Sequence, residues 1–130
     1  MLLDAFKAWI TGSRRITFND FRDMQRVARD LNELLRKVLP IGPEIVDLMT
    51  FKDAVRYFVT ERPASALVRK GAMLRQPHPS GHLLVQVFLD EHNEFVHGPD
   101  DRPYGRRLVV KQFDHELLEA FGTNDLVVVE

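Results

Sequence analysis

From Phe18 to Leu39, apolar side chains recur at Phe21, Met24, Val27, Ala28, Leu31, Leu34, Leu35, Val38 and Leu39, in steps of three or one. At 3.6 residues per turn this recurrence gathers them on one broad helical stripe, whereas a strand would scatter them over both faces. The flanks agree. Thr17 stands where it can cap the first turn, with Asp20 three residues on as a short-armed capping box, and Ile16 and Phe21 are spaced as a hydrophobic staple. Arg36 and Lys37 complement the dipole at the far end, and Pro40 disfavours helical geometry at Leu39. A helix of this length with one greasy face needs a second layer to cover it, so the remaining chain has to supply one.

Gly42-Pro43 reads as the opening of further helix, since proline loses nothing at a first helical position. Apolar residues cover much of the circumference from Ile45 to Val59, and Thr50 to Asp53 repeats the earlier cap spacing, which points to a break near Met49. Upstream, Leu2, Leu3, Phe6, Trp9 and Ile10 line one face of a short N-terminal helix.

Beyond Arg62-Pro63 the pattern changes. Residues 63–71 fit either a short helix or the start of a strand with a bulge at Gly71. Gln76 to Gly81 has the composition of a loop. Leu83-Leu84-Val85-Gln86-Val87-Phe88-Leu89 is apolar at both alternating sets of positions, which predicts a central strand covered on both faces. Asp90 to Asn93 then turns the chain so that Glu94 to His97 pairs back. Asp114 caps a short helix that stops before Gly122, and Leu126 to Val129 forms a last strand.

Together these features predict a single α+β domain over 1–130. Its N-terminal helical layer, made of the long amphipathic helix 18–39 and helices in 43–60, packs on a mostly antiparallel four- to five-stranded sheet. The strands fall near 66–75, 82–89, 94–97, 107–113 and 126–130, with a short helix at 115–121.

Composition excludes more function than it assigns. There is no cysteine, so disulfides, thiolate nucleophiles and iron–sulfur ligation are out of reach. Eighteen basic residues against nineteen acidic ones leave a net charge of −1, and no global field draws the chain to nucleic acid or anionic lipid. The first residues lack the basic and apolar regions of a signal peptide, and no apolar run approaches the ~20 residues of a membrane span. The expectation is a soluble, cytoplasmic protein.

Three clusters bear on chemistry. The segment 97–107 concentrates His97, Asp100, Asp101, Arg102, Tyr104, Arg106 and Arg107, a set able to grip a carboxylate or phosphate through paired guanidinium donors. Arg22, Arg26, Arg29 and Arg36 project from the polar side of the long helix, where phosphates would meet them. Glu33 interrupts that stripe and no aromatic residue interleaves with it, so nucleic acid is disfavoured. His78, His82, His92 and His97 share the sheet region, but at separations along the ladder that argue against one ion.

No G-x-S-x-G, phosphate-cradling or H-E-x-x-H motif is present, and no cofactor, metal or catalytic set is expected. The apolar surplus between Ile45 and Val59 points instead to a non-enzymatic interaction or regulatory module that self-associates or binds a protein partner. The alternatives are a small enzyme or anion-binding protein using 97–107, and a nucleic-acid-associated protein using the arginine stripe.

Overall fold

A computed structural model of the chain describes Arg26, Arg29 and Asp30 together with residues 41–99 and 101–129. Along the continuous part the order is β1 (Ile41–Met49), α1 (Phe51–Thr60), β2 (Lys70–His78), β3 (Gly81–Leu89), β4 (Gly105–Phe113), α2 (His115–Phe121) and β5 (Leu126–Val129). The strands form one five-stranded mixed sheet in the order β1-β4-β3-β2-β5. Only β1 and β4 run parallel; the other three pairings are antiparallel.

The helical layer expected over 18–60 is therefore corrected. Between residues 41 and 129 the described helices are two short ones, and 43–49 is strand. Arg26, Arg29 and Asp30 are helical, while the rest of 18–39 and the expected N-terminal helix lie outside the described residues. Proline misled the reading of 43–49. Pro43 falls in a register irregularity between Ile41 and Ile45, the kind of position in a strand that accepts proline. Beyond it the β-branched pair Ile45 and Val46 stands opposite Val109 and Val110. Side-chain fit to a neighbouring strand outweighed a local helix signal.

The cap at Thr50 is real: its hydroxyl accepts from the Asp53 amide at 3.0 Å and starts α1. From there Ala54, Val55 and Phe58 turn into the core. Asp114 caps α2 by accepting from the Leu117 amide at 2.8 Å, and the same oxygen accepts from the Phe51 amide of α1 at 3.1 Å. The Asp114 amide in turn donates to the Met49 carbonyl. One short side chain thereby ties the start of α2 to the β1–α1 junction.

Other boundaries also move. No bulge occurs at Gly71, because β2 and β3 pair without interruption from Lys70–Leu89 to His78–Gly81. Glycine is needed there for space: a Cβ would sit 2.6 Å from the Phe58 ring. The expected loop 76–81 shrinks to a tight turn at Pro79-Ser80, with Gly81 at φ 138°. The expected strand 94–97 is reduced to two isolated bridges, Leu89–Phe95 and His97–Pro103.

Strand alternation divides the core in two. Toward the helices lie Met73, Leu84, Phe88, Val110 and Val127, packed with Phe58, Leu117 and Phe121. On the opposite side of the sheet Ala72, Leu74, Val85, Val87, Leu89, Leu126 and Val128 are equally buried. Both faces of β3 are thus covered, as the largely apolar residues at both alternating sets of positions predict.

Candidate functional site

The buried polar residue of the core is Gln86, on the helix side of β3 and fully inaccessible to solvent. A neutral amide in such a place has to be hydrogen-bonded, since leaving it unpaired is costly. Its Nε2 donates to the Ala54 carbonyl of α1 at 2.8 Å, and its Oε1 accepts from Arg106 Nε at 2.7 Å. Arg106 is the cross-strand partner of Gln86 on β4. Its guanidinium carbon lies over the Tyr57 ring, 4.1 Å from the centroid, so a hydrogen bond and a cation–π contact together hold the group.

This assembly forms one wall of an open cleft of about 240 Å³. The β1 edge contributes Val46, Leu48 and Met49, β4 contributes Leu108 beside Arg106, and α1 contributes Asp53, Arg56, Tyr57 and Thr60, with Glu61 just past its end. Arg56 pairs with Asp53 at 3.7 Å. Burial pushes the Tyr57 phenol up to about 12, against the opposing pull of Arg106, so the ring is a neutral donor at physiological pH. Burial also lowers the Arg106 guanidinium from its usual value, while Tyr57, Glu61 and Asp53 act the other way.

The residues singled out between 97 and 107 do not converge. The chain folds into a tight turn, with the Gly98 amide donating to the Arg102 carbonyl and the Asp101 amide to that of Gly98. Asp101 and Arg102 are exposed, and Asp100 lies outside the described residues. His97 Nδ1–H donates to the Phe95 carbonyl, and Tyr104 packs on the helix-side core. Adjacent positions on a strand face opposite ways: Arg106 stands against Gln86 and enters the cleft, whereas Arg107 stands against Val85 on the other face.

Of the arginine stripe, Arg26 donates to the His92 carbonyl at 3.2 Å, and Arg29 is exposed with Asp30 4.0 Å away. Arg22 and Arg36 lie outside the described residues. His78 accepts from the Ser80 amide, His82 stacks on Phe113 at 4.6 Å, and His92 lies beside Glu91. Among the described residues no three His, Asp or Glu side chains gather in a way that would hold a metal ion, and no helix is long and apolar enough to cross a membrane.

Sequence reasoning missed Tyr57 and Gln86. Tyr57 falls within the apolar stretch Ile45–Val59 and nothing local sets it apart. Gln86 carried a signal that went unused: a lone amide inside the apolar run Leu83–Leu89 must find a buried partner. No protein-family model, no curated protein and no solved structure matches this chain.

Proposed function

We propose that this chain is a non-enzymatic interaction module that self-associates through the β1 edge of its sheet. The observation that carries the reading is β1 itself. It is a nine-residue strand at the end of the strand order, bonded among the described residues to β4 alone. An edge of that length presents a row of backbone donors and acceptors that another strand can satisfy. Ile45 and Leu48 are half exposed on this edge, at 50% and 49%, and provide apolar contact alongside the backbone pairing.

The apolar surplus that the sequence places over 45–59 becomes much smaller in this light. Met49, Ala54, Val55 and Phe58 belong to the core, leaving Ile45 and Leu48 as the large exposed apolar groups of that stretch. Two copies pairing edge to edge would bury those four side chains and extend the sheet across a two-fold axis, the commonest oligomer symmetry. Pro43 limits the pairing to the segment after it, because it has no N–H to offer.

Sedimentation equilibrium tests the reading. The protein is expected to dimerise, and a variant carrying Ile45→Lys and Leu48→Lys to remain a monomer with an unchanged circular dichroism spectrum. A wild-type chain that stays monomeric at high concentration would sink the proposal.

A further inference from the structure

Beyond self-association, we infer that the cleft between β1, α1 and β4 is a binding site for a monocarboxylate carried on a small apolar body, with Arg106 as its anchor. Guanidinium groups recognise carboxylates through two parallel N–H bonds, and the affinity is greatest where the fork is held in place beforehand. Arg106 is held in this way. Its Nε is committed to Gln86 and its Cζ lies over the Tyr57 ring, and among the described residues that Nε bond is its one hydrogen bond. Among the described residues no acceptor takes up either terminal nitrogen, and these are the donors a ligand would meet.

The surroundings select the kind of anion. Asp53 and Glu61 act on Arg106 from the same cleft, with Asp53 already paired to Arg56. Two carboxylates on the rim oppose a doubly charged phosphate much more than a single negative charge, which favours a carboxylate. Val46, Leu48 and Leu108 form the apolar part of the lining, suited to an aliphatic group next to the acid. The volume of about 240 Å³ falls below the ~300–1,000 Å³ of pockets that take drug-sized ligands. It matches a body of single-residue size.

N-acetyl-leucine, offered free and as the last residue of an acetylated pentapeptide, is the probe. Titrations are followed by the side-chain NMR signals of Tyr57 and Arg106. Saturable shifts are expected with N-acetyl-leucine, and binding weaker by at least about tenfold with its primary amide, which cannot take up the fork. Arg106→Lys is expected to weaken binding by a similar factor, since a point charge replaces a planar pair of donors. A pentapeptide that binds more tightly than the free acid identifies a chain terminus as the source, and equal affinities identify a small metabolite. Acid and amide binding alike, or the absence of saturable shifts from either form of the acid, would overturn the inference. The acid–amide comparison uses the unaltered protein, so it does not depend on any variant folding.

Discussion

Replacing Gln86 by methionine removes two hydrogen bonds from the core while nearly conserving volume. The bond to the Ala54 carbonyl is neutral and contributes about 1 kcal/mol net, whereas the one from Arg106 involves a charged donor and contributes about 1.5–3 kcal/mol. Against this, the folded state no longer has to bury an amide, which returns about 1 kcal/mol. The expected loss is therefore about 2 kcal/mol, concentrated in the stranded Nε of Arg106. Urea denaturation with linear extrapolation measures it, provided the slope with denaturant is unchanged. A double-mutant cycle isolates the pair: adding Arg106→Met to the Gln86→Met background removes the stranded charge and is expected to show a coupling of about 1–2 kcal/mol. If Gln86→Met lies within about 0.5 kcal/mol of the wild type, or the two substitutions simply add, the picture of a clamped arginine is wrong.

Gly71→Ala is expected to destabilise the fold by about 1–3 kcal/mol, because the new methyl meets the Phe58 ring and a packed core yields little; thermal denaturation should show the loss, with partial recovery when Phe58→Leu is added. The phenol of Tyr57 sets a second expectation. Its raised value means that the folded state holds the proton more firmly than the unfolded chain does, so stability is whole below about pH 10 and falls as pH rises through about 12. Because the ring is partly exposed, solvent screening leaves about 1 kcal/mol of this effect. The stability difference between the wild type and Tyr57→Phe should be constant below about pH 10 and change by that amount as the pH rises to about 12.

Apart from the cap at Thr50, the elements legible in the sequence lie downstream of residue 70, where only the 76–81 loop and the 94–97 strand are corrected in kind. The run Leu83–Leu89, the cap at Asp114 and the apolar tail Leu126–Val129 each specify their element through local pattern, and each forms where that pattern puts it. The segment 43–49 was not legible in the same way. Its secondary structure is fixed by pairing with β4, more than fifty residues further along the chain, and its one strong local signal, Pro43, fits a helix start and a ladder irregularity equally. A similar non-locality hid the cleft. The sequence marks Arg106 as a candidate anion ligand through its neighbours, yet its partners in the fold, Gln86 and Tyr57, come from another strand and a helix. Composition gathered Arg106 and Arg107 into one cluster, and strand alternation sends them to opposite sides of the sheet.

The carboxylate of Asp114 joins segments sixty-three residues apart in sequence. Because one oxygen serves the first turns of both helices, α2 cannot leave with its capping residue without stranding the Phe51 amide of α1. Local opening should then be concerted: amide hydrogens in α1 and α2 exchange with solvent as a single unit rather than as two separately fraying pieces. The wall of the cleft supplied by α1 is accordingly steadied by a residue just past the end of β4, which gives changes at the second helix a physical route to the geometry around Tyr57.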